Sequence, residues 1–449
     1  MNAKGRSTLK KDQIAREVVL DQRGPAANRV VIVGVSTRAA AESAARAGFD
    51  VTAIDAFADV DQHPAVLARA LPESFTARAA AEAARDVECD AVAYLASFEN
   101  HPVAVRALTA NRTLWGNRPE VLKRVRDPIA VAEGLARRGI ATPAIYLPSD
   151  VESGFSPSEV GSAFSRTAAK VRLKADPTTE KRADLTTVGL TDHSPTEEWL
   201  LKPLASGGGH GIRRWHRGDA VPRGTYLQAF VDGTPGSVVF VAASGRAVPL
   251  GVFRQLIGDR AFGCDGFRYC GNMLSAPDDA LFGRDDAVIA AACELAGAVA
   301  DEFGLVGVNG IDFIARDTAP HVVEINPRWC ASMELVERGY GLSVFGAHAR
   351  ACAAGALPDF DLARARRNAR ATLGKAVVFA RHDVTVGDTR AWSDDTDDDA
   401  PPCVRDIPRT GTRIGAGRPI CTVFADASTA AACYASLVAR ARRVYESLG

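Results

Sequence analysis

The stretch HVVEINPRW, residues 321–329, combines the pattern of a buried strand with a cluster of polar side chains. Its valines and isoleucine are typical of a core strand, but Glu324, Asn326 and Arg328 stand among and after them. Because successive side chains of a strand point to opposite faces, these three residues, spaced two apart, share one face. The stretch therefore predicts a strand that packs one face into a core and presents a carboxylate, an amide and a guanidinium on the other.

The strand before this stretch supplies a second carboxylate. GVNGIDFIA (307–315) and HVVEINP (321–327) are separated by the turn RDTAP, so they are expected to form an antiparallel hairpin. Pairing across that hairpin brings Asp312 beside Glu324 and Asn326. Two carboxylates and an amide carbonyl are hard oxygen ligands suited to Mg²⁺, and a guanidinium beside them could hold a phosphoryl group or a carboxylate. The alternative is a pair of strands with incidental surface charges.

A glycine-rich segment upstream suggests a phosphate-binding loop. In WLLKPLASGGGHGIRRW (199–215), a short apolar strand leads to Lys202 and then to a loop of small residues. The members of this glycine loop are Ser206, Gly207, Gly208, Gly209, His210 and Gly211. Glycines let backbone N–H groups approach a polyphosphate closely, and Lys202 adds a compact positive charge. The order of a P-loop is absent, and a flexible hairpin tip is the alternative.

A third segment, TYLQAFVDGTPGSVVFVA (225–242), reads as a strand that turns at Asp232–Gly233 and returns as a second apolar strand. Gln228, Phe230 and Val231 on its first arm could hold an adenine ring by backbone hydrogen bonds and apolar contacts. The alternative is an ordinary β-hairpin.

Alternating strands and helices over residues 23–118 predict a doubly wound parallel sheet. The first turn of that region, GVSTRA, lacks the GxGxxG dinucleotide fingerprint. Between 117 and 143 the sequence predicts a helical connection ended by Gly139 and Pro143. Polar segments at 171–198 and 393–402 are expected to be exposed, the first as a long insertion and the second as a surface loop.

Composition narrows the class of protein. The 449 residues include 54 Lys plus Arg and 54 Asp plus Glu, a balance that disfavours nucleic-acid binding and polybasic membrane binding. Nine cysteines without any CxxC pair indicate buried thiols in a reducing compartment. No apolar targeting segment or membrane-length run of about 18 apolar residues is present. We expect a cytoplasmic protein.

The chain carries three motifs in sequence: KP…SGGGHGI, then LQAFVDG, then ID…EINPR. Over residues 119–355, this series of motifs resembles the ATP-grasp superfamily. The group that looks most similar is that of carboligases related to biotin carboxylase, some of which are associated with one-carbon cofactors. The resemblance implies an α/β protein: an N-terminal doubly wound parallel-sheet domain (23–118) after a polar tail (1–22), an ATP-grasp domain of two α+β subdomains (119–355), and a small β-rich C-terminal domain (356–449).

The same resemblance assigns roles. Lys202 and the glycine loop would cover the phosphates of ATP, while Gln228, Phe230 and Val231 would frame its adenine. Asp312, Glu324 and Asn326 would hold Mg²⁺, with Mn²⁺ as an alternative ion. Arg328 and Lys202 would be the catalytic residues that stabilise the transferred phosphoryl group and the acyl-phosphate.

Two positions depart from the family pattern. Pro128 stands where relatives carry a nucleotide-binding lysine, and Arg126 or Lys123 would have to replace it. Relatives often place a ribose-binding acid where this chain has Thr234-Pro235-Gly236.

The leading hypothesis is an ATP-dependent ligase that joins a small-molecule carboxylate to an amine through an acyl-phosphate, as in one-carbon cofactor synthesis. Two alternatives remain open: a biotin-carboxylase-like enzyme that forms carboxyphosphate from bicarbonate, and a nucleotide-binding module that has lost catalysis. Substrate contacts are expected from the strand end at 98–101, from Arg254–Gln255 and from the segment after Arg328. No nucleic-acid or membrane partner is expected, and a homodimer is left open.

Overall fold

The computed structural model describes residues 28–71, 75–146, 198–277, 279–393 and 402–448. The expected polar tail at 1–22, the expected insertion at 171–198 except its last residue, and residues 394–401 of the surface loop expected at 393–402 lie outside the described residues.

The N-terminal region is a five-stranded parallel sheet, as its sequence predicts. In chain order its strands are β1 (Arg29–Val33), β2 (Asp50–Asp55), β3 (Val66–Ala70), β4 (Ala91–Tyr94) and β5 (Thr113–Trp115). They lie in the order β3-β2-β1-β4-β5, so the strand order reverses between β1 and β4. Ligands of such sheets bind beyond the carboxyl ends of the strands that flank this reversal.

Helices cover both faces of this sheet. They are α1 (Arg38–Arg46), α2 (Ala77–Ala83) and α3 (Pro102–Leu108). Alanines of α1 pack on one face against Val30 and Ile32, while α2 and α3 pack on the other against Val31 and Val33. A continuous apolar strand such as β1 is typical of a sheet buried on both faces.

The connection at 117–143 contains two helices instead of one: α4 (Pro119–Val125) and α5 (Pro128–Ala136). The break lies at Arg126–Asp127 because the carboxylate of Asp127 accepts hydrogen bonds from the N–H groups of Ile129 (2.9 Å) and Ala130 (3.2 Å). An N-cap followed by proline at the first helical position begins a new helix. Arg126 therefore lies at the C-terminal end of α4, between the two helices.

A small antiparallel sheet of four strands follows. It consists of β6 (Ile145–Tyr146), β7 (Trp199–Pro203), β8 (Arg213–Trp215) and β9 (Thr225–Ala229), in the order β6-β9-β7-β8.

The largest sheet, called the central sheet below, has eight strands in the order β14-β13-β10-β11-β12-β15-β19-β17. Its strands are β10 (Thr234–Ala243), β11 (Arg246–Ile257), β12 (Tyr269–Leu274), β13 (Gly307–Arg316), β14 (Ala319–Asn326), β15 (Thr372–Phe379), β17 (Val404–Arg405) and β19 (Pro419–Ala427). The long helix α6 (Asp285–Phe303) packs its apolar side against Val238 and Phe240 on one face of the sheet. On the opposite face, Val239 and Val241 pack in the cluster that contains Phe345, and the part of that face near Asp312 borders the site.

The segment 225–242 does not form the β-hairpin that we considered as an alternative. Strand β9 pairs with β6 and β7, whereas β10 pairs with β11 and β13, so the chain passes from one sheet to the other at Gly233. A Cβ at Gly233 would lie 2.4 Å from the carbonyl oxygen of Ala315, and its φ is +158°. Glycine therefore permits this close crossing.

The remaining elements complete the C-terminal third. They are α7 (Met333–Tyr340), α8 (Val344–Ala354), α9 (Leu362–Asn368), β16 (Val384–Thr385), α10 (Arg390–Ser393), β18 (Arg413–Ile414) and α11 (Ala430–Leu448). Strands β15, β19 and β17 extend the central sheet, and β16 pairs with β18. None of the helices in the described part of the chain combines the length and apolar character needed to cross a bilayer.

Candidate active site

The hairpin β13–β14 brings together the three predicted oxygen ligands. Asp312 lies directly opposite Glu324, and Asn326 lies opposite Gly310 two pairs further along. The amide nitrogen of Asn326 donates to Asp312 Oδ2 at 2.9 Å. Asp312, Glu324 and Asn326, called the oxygen cluster below, therefore share one face of the central sheet, as the period-two pattern predicts.

The two carboxylates of the oxygen cluster have opposite electrostatic surroundings. Burial and the charge of Glu324 raise the pKa of Asp312 to about 7. Burial would also raise the pKa of Glu324, but the positive charges of Arg126 and Lys202 outweigh that effect and lower it. Without a further cation beside Asp312, ionisation of Glu324 therefore disfavours ionisation of Asp312.

Arg328 is held from two sides. Its Nε donates to Glu99 Oε1 at 2.7 Å, and its Nη2 donates to Asn326 Oδ1 at 3.1 Å. Glu99 is only 1% exposed and lies in the 3₁₀ turn Phe98–Asn100 that follows β4. The strand end that we expected to contact substrate therefore supplies the carboxylate that orients Arg328. Burial opposes the charge on Arg328, but Glu99 outweighs it and raises the pKa of the guanidinium.

Lys202 approaches the oxygen cluster from the four-stranded sheet. Its Nζ donates to Gln228 Oε1 at 3.0 Å and to the carbonyl of Val323 at 3.3 Å. Val323 directly precedes Glu324, so the ammonium lies against the strand that carries the carboxylate. Lys202 and Gln228, which were predicted for phosphate and adenine, are therefore direct neighbours.

Of the two replacements considered for the missing lysine, only Arg126 reaches the site. Its Nη1 donates to Glu324 Oε1, its Nε to Asn100 Oδ1 (3.0 Å) and its Nη2 to the carbonyl of Ser206 (3.0 Å). Lys123 is exposed on α4. Arg126 thus connects the oxygen cluster, the turn after β4 and the start of the glycine loop.

The glycine loop joins β7 to β8 and lies against the start of β12. The N–H of Tyr269 donates to the carbonyl of Gly208 at 3.0 Å. A Cβ on Gly209, whose φ is +73°, would lie 1.9 Å from the carbonyl oxygen of Phe267. Gly209 is therefore required by a close backbone approach that its sequence context did not reveal. His210 is exposed, and neither it, Gly207 nor Gly211 lines the cavity described next.

One cavity of about 670 Å³ joins these parts. Its walls include most of the predicted residues: Lys202, Gly208, Gly209, Gln228, Phe230, Val231, Asp312, Glu324, Asn326 and Arg328. The oxygen cluster and Arg328 line it on the central sheet, while Lys202 and Gln228 come from the four-stranded sheet. The oxygen cluster and the Lys202–Gln228 pair, which were expected to hold the same nucleotide, therefore face the same cavity.

The oxygen cluster fits a hard divalent cation. In the described ranges, no group of three or more histidine, cysteine, aspartate or glutamate side chains is placed to hold a metal ion. The oxygen cluster has two carboxylates and one amide, and Mg²⁺ commonly completes such a set with waters and substrate phosphates. Burial and the charge of Glu324 raise the pKa of Asp312, and a cation bound beside both carboxylates would favour its ionised form.

The parallel N-terminal sheet, the four-stranded antiparallel sheet and the central sheet all border this cavity. Residues 175–332 match the ATP-grasp domain family. The chain therefore contains an ATP-grasp domain, and both the superfamily and the α/β fold class inferred from its motifs are confirmed.

Solved structures share this fold over nearly the whole chain. One is the biotin carboxylase domain of Hydrogenobacter thermophilus 2-oxoglutarate carboxylase in complex with MgADP, ADP and bicarbonate. It has a TM-score of 0.62 at 15% identity, covering 94% of this chain and 90% of that one. N5-carboxyaminoimidazole synthase from Aspergillus clavatus, in complex with ADP and 5-aminoimidazole ribonucleotide, has a TM-score of 0.61 at 16% identity, covering 92% and 99%.

L-amino acid ligase from Bacillus licheniformis has a TM-score of 0.57 at 15% identity and covers 91% of this chain and 96% of that one. An uncharacterized protein of Methanocaldococcus jannaschii is 26% identical over 132 residues. That match spans 29% of this chain and 29% of the archaeal protein. The solved structures show the fold that this chain shares.

Proposed function

We propose that this protein is an ATP- and Mg²⁺-dependent ligase that joins a carboxylate to an amine through an acyl-phosphate, releasing ADP and phosphate. The observation that carries the proposal is the pairing of Asp312 with Glu324 in one cavity with Lys202. Half-buried carboxylates facing a lysine and a glycine loop suit a metal-bound nucleotide.

In the first step, a carboxylate oxygen of the acid attacks the γ-phosphorus of ATP, the bond to the β-phosphate oxygen breaks, and ADP leaves. In the second, the amine nitrogen attacks the acyl carbon, phosphate leaves with the bonding pair, and the nitrogen loses a proton. Neither step requires a covalent bond to the protein, so the residues act by position and charge.

Asp312, Glu324 and Asn326 would hold Mg²⁺, which would neutralise phosphate charge when bound. Lys202 lies beside them and would contact the phosphates as a compact charge. Arg328 is fixed by Glu99 on the same floor, so its guanidinium need not be reoriented as charge develops on the transferred group.

The test is ADP release from Mg-ATP with a panel of carboxylic acids and amines, singly and in pairs. We expect release that depends on one acid–amine pair. Glu324→Gln should abolish it, whereas Asp317→Asn, in the turn of the same hairpin, should retain it. Wild-type turnover by Glu324→Gln contradicts the metal assignment.

The same assay separates the alternatives. ADP release that requires bicarbonate and no other acid favours a carboxyphosphate-forming enzyme. ATP binding without release for every pair favours a nucleotide-binding module without catalysis.

A further inference from the structure

Gln255, near the end of β11, has a partner in the oxygen cluster. The residue is half-buried, lines the cavity and was expected to contact substrate. Its Nε2 donates to Asp312 Oδ1 at 2.8 Å. Because an ionised carboxylate only accepts hydrogen bonds, the amide nitrogen is the group that faces Asp312. The structure therefore connects a side chain outside the proposed metal ligands to one of them.

This contact crosses the central sheet. Gln255 stands on β11 and Asp312 on β13, and β10 lies between these two strands. On β10, Ser237 pairs with Asp312 on one side and with Phe253 on the other. Gln255 lies on the same face as Phe253, two residues further along β11. Neighbouring strands are about 4.8 Å apart, so only a long side chain can span the roughly 10 Å between the two backbones.

Asp312 is held at both of its carboxylate oxygens. Gln255 Nε2 donates to Oδ1, and Asn326 Nδ2 donates to Oδ2 at 2.9 Å. One donor on each oxygen fixes the plane of the carboxylate. Each carboxylate oxygen can accept about two bonds, so each keeps a position for a metal ion. The two amides therefore orient Asp312 and leave it able to bind metal.

The two carboxylates of the oxygen cluster are held in different ways. Glu324 pairs with the guanidinium of Arg126, whereas Asp312 is held by two uncharged amides. A cation bonded to Asp312 would compete with a metal ion for the same negative charge. An amide donor orients the carboxylate without neutralising it, and hydrogen-bond partners of metal ligands commonly act in this way. Gln255 therefore has the chemistry of a partner to a metal ligand.

We propose that Gln255 is a positioning residue for the metal ion, which holds the carboxylate of Asp312 in the orientation that binds Mg²⁺. The inference rests on the proposed function, because Asp312 is a proposed ligand there. Gln255 acts through Asp312 and not through substrate. Without Gln255, Asp312 keeps only the bond from Asn326 and its carboxylate can rotate about that bond. Metal affinity then falls, while the nucleotide contacts that need no metal are retained.

The test uses Gln255→Met, which keeps the length of the side chain and removes its donor. Gln255→Asn is a second variant, which keeps the amide but is one methylene shorter. Gln62→Met is the matched control, because Gln62 is a half-buried glutamine on the connection between β2 and β3, outside the cavity wall. Mn²⁺ affinity is measured with saturating ADP by electron paramagnetic resonance, and ADP affinity without metal is measured by calorimetry in EDTA.

We expect the wild type to bind Mn²⁺ when ADP is present. Gln255→Met should raise the Kd for Mn²⁺ by about tenfold or more, the effect typical of removing a partner of a metal ligand. Gln255→Asn should raise it as well, because the shorter side chain does not reach Asp312. In both variants the affinity for ADP in EDTA should be unchanged, and Gln62→Met should change neither constant. A merely structural role would lower both affinities together.

Wild-type Mn²⁺ affinity in both Gln255 variants overturns the inference. An equal loss of ADP affinity in EDTA also overturns it and would assign Gln255 to the nucleotide. Failure of the proposed function is distinguishable. If the wild type binds no Mn²⁺ with ADP, the metal site and this inference fail together. If the wild type binds Mn²⁺ and Gln255→Met binds it more weakly, the inference stands even when no acid–amine pair is joined.

Discussion

The guanidinium of Arg126 hydrogen-bonds the carboxylate of Glu324, a residue 198 positions later in the chain. The same guanidinium holds the Ser206 carbonyl at the start of the glycine loop. One side chain therefore links a proposed metal ligand to the loop proposed to cover phosphates. In this chain it stands two residues before Pro128, where the family pattern has a lysine.

Arg126→Ala should raise the Kd for Mg-ADP by about tenfold or more, because it removes a charged contact near the phosphates and loosens the loop. Arg126→Lys should recover part of the affinity, since it keeps the charge but loses the fork of donors. Titration calorimetry measures both, with the exposed Lys123→Ala as control. Unchanged ADP affinity in Arg126→Ala would remove this residue from the nucleotide site.

Glu99→Gln should destabilise the protein by on the order of 3 kcal/mol, because it leaves the buried Arg328 without its carboxylate. Turnover should also fall as the guanidinium loses its orientation. Chemical denaturation measures the first effect and ADP release the second. In the double variant Glu99→Gln/Arg328→Gln the loss of stability should be smaller than the sum of the single losses; strict additivity would mean that the pair does not act as a unit.

Gly209→Ala should displace the glycine loop from the start of β12, because the added Cβ collides with the Phe267 carbonyl oxygen and φ is positive. We expect a lower Tm and faster proteolysis within the loop. Gly207→Ala is the matched control, since a Cβ there meets nothing within 4 Å. Equal Tm and cleavage rates in the two variants would show that the close approach does not matter.

Asp59→Asn should stabilise the protein, and increasingly so as pH rises from 5 to 8. Burial, followed by repulsion from Asp406, Asp61 and Asp55, raises the pKa of Asp59 from its ordinary value near 3.8 to about 9. Between those values the folded state binds a proton that the unfolded state releases, so wild-type stability is lost as pH rises. Asparagine cannot ionise and avoids this loss.

Scanning fluorimetry at pH 5, 6.5 and 8 measures this effect, with the exposed Asp50→Asn on β2 as control. A difference in Tm between Asp59→Asn and wild type that stays constant or shrinks with pH would contradict the raised pKa.

The sequence predicted the features that depend on residues close together in the chain. The alternation of polar and apolar side chains in 321–329, with the turn before it, predicted that Asp312, Glu324 and Asn326 share one face. This prediction needs only local sequence, because side chains of any strand alternate between its two faces. The apolar runs and helices of 28–115 likewise identified a parallel sheet buried on both faces.

The hydrogen-bond partners of the site residues could not be predicted from the sequence. Glu99 lies 229 positions from Arg328, and nothing local distinguishes its carboxylate from one in solvent, although the strand end that holds it was noted.

The sequence by itself therefore determined the strands, the oxygen cluster and the ATP-grasp superfamily, because periodicity and turn residues act between near neighbours. Tertiary structure alone decided that Arg126 contacts Glu324, that Glu99 pairs with Arg328 and that β9 and β10 belong to different sheets. These outcomes depend on how distant segments pack, and packing is set by shape and burial across the whole molecule.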